Sequence, residues 1–262
     1  MKIQGHSNSH IQLPKSVLAS FSTTEVTLND CGKPLKSQFV YKMTLDGIIT
    51  KENIKKTNTE FGYYEDIIEQ YLNTVETNFG ETKKKIIDSA KNNEIELKLT
   101  DIDAVKKYCI FCLLRSPQFV AEVKGNSIMM DALENAPQNA VIYSYLQNPK
   151  EVDEQFENYT NITFIRNESK INFILPQLGA IGIKDDSKRE FILPITPTLA
   201  IMLTDRETIV SGTFYIGKID ETNVDNLNKL AIYEENKNNN EAIYAQNKED
   251  LLRYLPFLHM LN

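Results

Sequence analysis

The stretch from Phe61 to Pro117 constrains the fold more than any other part of the chain. On a helical wheel with Ile68 at zero, Leu72, Val75, Phe79 and Ile86 fall within about 40°, the apolar stripe of a core-facing helix. The same wheel gathers Glu65, Glu69 and Glu76 in a band roughly 60–100° away, on the boundary between core and solvent, where a carboxylate is half-buried and still reachable. After Lys91-Asn92-Asn93, which breaks the pattern, Thr100 with Asp103 predicts the start of a second helix, hydroxyl and acid both suiting its positive end. That helix is apolar nearly all round from Tyr108 to Leu114, so it must be covered on most sides, and Pro117 closes it.

The rest of the chain arranges itself around this pair. The first nine residues are polar and aperiodic, which predicts fraying or a path over the surface. Pro14 suits the first turn of a short helix carrying Leu18 and Phe21. Val26–Leu28, Phe39–Met43 and Ile48–Thr50 read as strands, with Asp46-Gly47 as a hairpin turn. Further helices are expected at Gln118–Lys124, Ile128–Glu134 and Gln138–Gln147. Beyond Glu151 the pattern turns to strands, at Ile162–Arg166, Ile171–Leu175, Ala180–Ile183, Glu190–Pro194, Leu199–Leu203 and Thr213–Gly217. Val224–Glu235 returns to helical spacing, and Lys248–Leu258 predicts a last short helix interrupted by Pro256. The expected fold is α+β: a small N-terminal β element, a central helical bundle and a C-terminal antiparallel sheet. We expect one domain over residues 1–262 with two lobes, a helical lobe with its N-terminal hairpin to about 150 and a β-rich lobe from about 151.

Composition narrows the function classes. A net charge of −7 disfavours a broad grip on nucleic acid, which needs many cations to neutralise phosphates. Three cysteines, two of them inside the apolar helix, do not make a disulfide framework and point to a reducing compartment. The longest apolar run, Tyr108–Leu114, is too short to span a bilayer, so the expectation is a cytoplasmic chain with no membrane partner. Cys109-Ile-Phe-Cys112 has the spacing of a metal or redox pair, but without a second pair or a nearby His it reads as core packing. Lys83-Lys84-Lys85 reads as a solvated helix face. Tyr63 and Tyr64 read as aromatics anchoring the helix entrance.

The polar residues worth weighing as a site are His10, Glu69, Glu76 and Arg115. An imidazole that titrates near neutrality, two carboxylates one heptad apart and a guanidinium at the end of the next helix can position a phosphate or activate a water. In that reading Glu69 and Glu76 serve as base or metal ligands, His10 as acid and Arg115 as anion clamp; the metal and any cofactor stay unknown. The plain alternative is that Arg115, carried on a buried helix, needs a counter-charge and finds it in Glu69 or Glu76.

Several segments together resemble a known family. His10–Phe21 (H-I-Q-L-P-K-S-V-L-A-S-F), Gly62-Tyr63-Tyr64 through Glu76, Leu114-Arg115-Ser116-Pro117, Leu193-Pro194-Ile195-Thr196-Pro197 and the helix around Asn226-Leu227-Asn228 stand in the order of domain-of-unknown-function family 4238. The resemblance runs from about His10 to Tyr244. It departs in two places: three residues separate His10 from Pro14, one more than the family pattern, and Phe173-Ile174-Leu175-Pro176-Gln177-Leu178 stands where relatives carry an acidic Ser-Asp-x-Pro. The missing acid argues against a metal-dependent reaction. The resemblance implies a bacterial, phage or mobile-element setting and an activity not yet assigned. Two functions of different class are therefore expected: an unassigned cytoplasmic protein that binds a protein or small-molecule partner in phage or mobile-element conflict, or a hydrolase or nuclease acting on phosphoesters through the Glu/His/Arg cluster.

Overall fold

The structure, a computed structural model, describes residues 8–11, 13–29, 31–61, 63–116, 137–150, 159, 161–185, 188–204, 212–237 and 242–261. Helix α2 spans Asp66–Ala90 and α3 spans Leu99–Leu114. The expected stripe of Ile68, Leu72, Val75, Phe79 and Ile86 is buried. The two helices pack antiparallel: Phe79 stacks on Tyr108 with ring centroids 3.8 Å apart, Tyr71 tilts against Phe111 at 5.4 Å, and Lys85 meets Asp101 at 2.5 Å nearer the far end. The start of α3 differs from expectation. Asp101, not Asp103, accepts the Lys98 amide at 2.8 Å, because an acid three residues into the helix reaches back to the amide before it. Cys109 and Cys112 are sealed in the core as expected, and burial pushes the Cys112 thiol up to about 12.

Ahead of these helices, strand β1 (Asn8–His10) pairs antiparallel with β5 (Thr59–Phe61), so Asn8 and Ser9, the described residues of the stretch expected to fray or run over the surface, are held in a ladder. Helix α1 (Lys15–Ser20) buries Val17 and Leu18. Strands β2 (Thr23–Leu28), β3 (Pro34–Thr44) and β4 (Ile49–Asn53) pair antiparallel; the β3–β4 hairpin is the one expected, with Gly47 at φ 86° in its turn, a value that only a residue without Cβ adopts freely. Lys83 corrects the reading of the lysine run as solvated. Its ammonium lies buried and donates to the Ser16 carbonyl at 2.5 Å and the Ser20 hydroxyl at 2.8 Å, both on α1, and burial lowers its pKa to about 8.

The C-terminal half builds a six-stranded sheet from β7 (Asn161–Asn167), β9 (Ile181–Asp185), β10 (Lys188–Thr196), β11 (Leu199–Thr204) and β12 (Gly212–Ile219), with β6 (Glu94–Leu97) from between α2 and α3 at one edge. The order is β6-β12-β7-β11-β10-β9. The sheet is antiparallel except where β12, having crossed over to the far side of β7, runs parallel to it. Four residues of alternating charge and bulk were too short a signal to mark β6 in advance. Helix α4 (Pro137–Gln147) matches expectation, whereas the helices expected at Gln118–Lys124 and Ile128–Glu134 lie outside the described residues.

The expected strand at Ile171–Leu175 is reduced to β8 (Leu175–Pro176), and the reason is a side chain on α5 (Glu221–Lys237). Asn228, 2% exposed, accepts the Ile174 amide at 3.1 Å and donates to Asn172 O at 2.8 Å and Tyr254 Oη at 2.9 Å. A side-chain amide thus satisfies backbone groups that would otherwise need a ladder. Strand β13 (Ala242–Ala245) then inserts between β3 and β8, and helices α6 (Lys248–Leu252) and α7 (Leu255–Leu261) close the chain. Strand pairing crosses the division near residue 150 in both directions, through β6 and through β13, and one hydrophobic cluster runs from Leu13 to Leu258. Among the described residues no helix is long and apolar enough to cross a membrane.

Replacing Asn228 by Leu strands the Ile174 amide and the Asn172 carbonyl in the core; the expected loss is about 2–4 kcal/mol in urea unfolding. A loss below about 0.5 kcal/mol would show that the loop does not depend on that side chain.

Candidate functional site

The site is assembled by three devices. The β1–β5 ladder pins His10 opposite Thr59, just ahead of the entrance to α2. Helix α2 presents Glu69 and Glu76 two turns apart on one flank, both half-buried. The C-terminal cap of α3 delivers Arg115, whose backbone amide bonds to Phe111 O at 3.2 Å, and whose Nε returns to the same carbonyl at 3.2 Å.

Arg115 and Glu76 meet. The guanidinium Nη1 lies 2.8 Å from Glu76 Oε1; the arginine side chain is 1% exposed and the glutamate side chain 20%. Burial alone would lower the arginine pKa, but the Glu76 carboxylate and the nearby Tyr64 reverse it, so Arg115 stays charged at every working pH. Glu76 is raised above its ordinary range by burial, which the single guanidinium contact offsets only in part. Glu69 contributes charge to the same neighbourhood but makes no contact with Arg115 that matches the Glu76 bond. Of the two candidate counter-ions, Glu76 is the partner.

His10 enters this field without a bond of its own. Its Nδ1 is buried with no hydrogen-bond partner, and burial, aided by Lys15 and Arg115, lowers the imidazole pKa to about 4. With its pKa at about 4 the imidazole is uncharged at neutral pH, which weighs against the expected role as acid. Arg115 Nη2 is also buried and unpartnered. Tyr64 closes the near side, donating its hydroxyl to Ile11 O at 2.7 Å, and its ring meets Tyr63 edge-on at 4.9 Å. Both tyrosines anchor the helix entrance as expected.

Signals missed in the sequence lie on the far side of Arg115. Tyr108 and Cys112, one helical turn apart, lie within the electrostatic reach of the guanidinium. Gly179, at φ 79°, lies against them; a methyl group there would sit 2.9 Å from the Tyr108 hydroxyl and 3.1 Å from Leu13 Cδ2. The segment that departs from the family pattern therefore leads directly onto the floor of the cluster. Nothing in the local sequence around Gly179 marks this, because the contact joins residues more than 60 apart.

Glu65, the third member of the glutamate band, has a structural task. It accepts the Tyr143 hydroxyl at 2.6 Å while its amide bonds to Asn139 Oδ1 at 3.2 Å, tying α4 to the start of α2. Among the described residues no group of three or more His, Cys, Asp or Glu is arranged to hold a metal ion. Two open clefts lie elsewhere, one of about 440 Å³ near Arg166 and Thr198 and one of about 510 Å³ near Lys218 and Glu221; neither is lined by His10, Glu69, Glu76 or Arg115.

Two expectations follow. Arg115→Met leaves Glu76 buried beside an apolar chain and should cost about 3–5 kcal/mol in urea unfolding, while the double variant Arg115→Met/Glu76→Leu recovers most of it. Equal losses in the single and double variants would remove the pair from the account. The second concerns pH. A histidine whose folded pKa is depressed contributes stability that is full above its unfolded value near 6.5 and is lost as pH falls toward about 4. Urea midpoints should therefore drop over that window in the wild type and drop less in His10→Gln; parallel curves would place the acid sensitivity elsewhere.

No curated protein and no solved structure matches the chain. One family model does, over residues 12–249, starting just after His10 and spanning α2, α3 and the segment across Gly179. The segments gathered around Arg115 are thus, His10 apart, segments of that match. The chain belongs to the family described as "Protein of unknown function (DUF4238)".

Proposed function

We propose that this protein acts by binding a partner, a protein or a small molecule, and that its Glu/His/Arg cluster organises the fold instead of performing hydrolysis. The observation that carries this reading is the burial of Arg115: a guanidinium 1% exposed and already bonded to Glu76 cannot clamp a substrate phosphate without giving up its counter-ion deep in the protein. The neutral state of His10 supports the same reading, since it removes the acid a phosphoester leaving group would need. A cytoplasmic setting in conflict between bacteria and phages or other mobile elements is what the family resemblance implies.

A second reading, a hydrolase or nuclease on phosphoesters, draws on two observations. Arg115 Nη2 and His10 Nδ1 lack partners, and Glu76, with its raised pKa, and the half-buried Glu69 flank them. In that reading Glu69 is the base or a metal ligand, and His10 accepts a hydrogen bond instead of donating a proton. The test is an assay of purified protein on bis(4-nitrophenyl) phosphate, single-stranded DNA and RNA, with magnesium, manganese or zinc supplied in turn. The binding reading expects wild type and Glu69→Gln to match the buffer control on every substrate. Turnover by the wild type that Glu69→Gln or Glu76→Gln abolishes would replace it with the hydrolase.

A further inference from the structure

The β2–β3 hairpin reaches out of the protein. Residues Thr24 to Leu28 are all exposed, as are Cys31 to Lys36, and Val26, Leu28 and Leu35 stand at 59%, 71% and 50% exposure. The other partners of β3 reach it only farther along, β4 from Phe39 to Met43 and β13 from Tyr41 to Thr44. The outer part of the hairpin is therefore a two-stranded arm with solvent on both faces. Such an arm is marginal in water and gains stability by acquiring further strands.

Its two rims are not equivalent. The β3 rim carries Pro34 and Lys36, residues that discourage strand addition. The β2 rim carries Thr24, Val26 and Leu28 and has no such protection. The backbone confirms which groups face out. Asn29 N bonds to Lys33 O at 2.9 Å, so the hydrogen-bonded pairs of the hairpin continue at Thr27 with Leu35 and Glu25 with Ser37. The amides and carbonyls of Thr24, Val26 and Leu28 then point away from β3, along an edge with which no other described strand pairs.

We infer that this edge pairs with β2 of a second copy of the chain, antiparallel about a two-fold axis at Thr27. The strand is self-complementary in that register. Outward-facing residues hydrogen-bond only with outward-facing ones, which leaves axes at Thr27, Val26 or Glu25; the axis at Thr27 sets Val26 opposite Leu28 of the second copy and Leu28 opposite its Val26, apolar against apolar, whereas an axis at Val26 sets each Leu28 against Thr24. The one charged side chain of β2, Glu25, then lies opposite Asn29 and is already neutralised by Lys51. Moving the axis to Glu25 would set two carboxylates face to face, which disfavours that register. Pairing converts two marginal arms into one four-stranded sheet with a contiguous apolar face, the arrangement an isologous interface requires. This interface is independent of the Arg115 cluster and holds whichever function that cluster has.

The test is molar mass by light scattering across a concentration series from about 1 to 200 μM, a range set to bracket the micromolar affinity of a small interface. The expected result is a dimer in the wild type and a monomer in Val26→Pro, since proline on an outer edge keeps the β2–β3 pairing but removes an outward donor. Leu28→Lys should weaken the dimer at least tenfold, and both variants should melt within a few degrees of the wild-type monomer. In a Cys31→Ser background, Thr27→Cys should cross-link under mild oxidation, because a non-hydrogen-bonded pair on the axis brings its Cα atoms within disulfide range. A wild type that stays monomeric to 200 μM, or a dimer that persists in Val26→Pro, would overturn the inference; the first result would leave the edge to a foreign strand or to none.

Discussion

The contact between Arg115 and Glu76 is the constraint on which the centre of the protein depends. Helix α3 is so apolar that it can only be buried, yet it ends in a cation that cannot be buried alone. The chain resolves the conflict by bringing a carboxylate from the flank of α2 to 2.8 Å. That choice fixes the rotation of α2 about its axis and the slide of one helix along the other, because a guanidinium and a carboxylate tolerate little error in position. Phe79 stacked on Tyr108 and Lys85 on Asp101 then follow as contacts of the same antiparallel alignment.

The same economy of polar groups governs the segment from Asn167 to Gly179. Its backbone leaves the six-stranded sheet and crosses the core, where unpaired amides are costly. Asn228 satisfies the stretch at Asn172 and Ile174, the Glu235 carboxylate accepts the Leu178 amide at 3.3 Å, and Gly179 supplies the positive φ and the missing Cβ needed beside Tyr108. Side chains from a helix fifty residues downstream thus hold a loop against the Arg115 cluster. The family resemblance had placed these segments in order along the chain, and the fold places them in one volume.

How the halves of the chain interlock follows from short elements. β6, four residues long, edges a sheet otherwise built from residues beyond 160, and β13, also four residues long, completes a sheet begun by β3. β6 lays Ile95 and Leu97 into the core at one rim of its sheet, and β13 lies buried between β3 and β8. The outer part of β2, by contrast, is exposed along residues 24–28.

Local pattern alone determined a good deal of this protein. The stripe on α2, the all-round apolarity of α3, the burial of Cys109 and Cys112, the Asp46-Gly47 hairpin and the helix at Val224–Glu235 each follow from residues within a few turns of one another, where periodicity reports directly on burial. The need of Arg115 for a counter-ion was legible too, since a buried cation demands one. Which glutamate answers, Glu76 and not Glu69, was decided by how α2 and α3 pack. Only the tertiary structure could bury Lys83 against a carbonyl and a hydroxyl of α1, drive His10 neutral, shorten the strand expected at Ile171–Leu175 to Leu175–Pro176 and lay Gly179 against Tyr108. Each of these joins residues far apart in sequence, and the free energy that settles them, desolvation set against a partner supplied from elsewhere, has no signature in any local window.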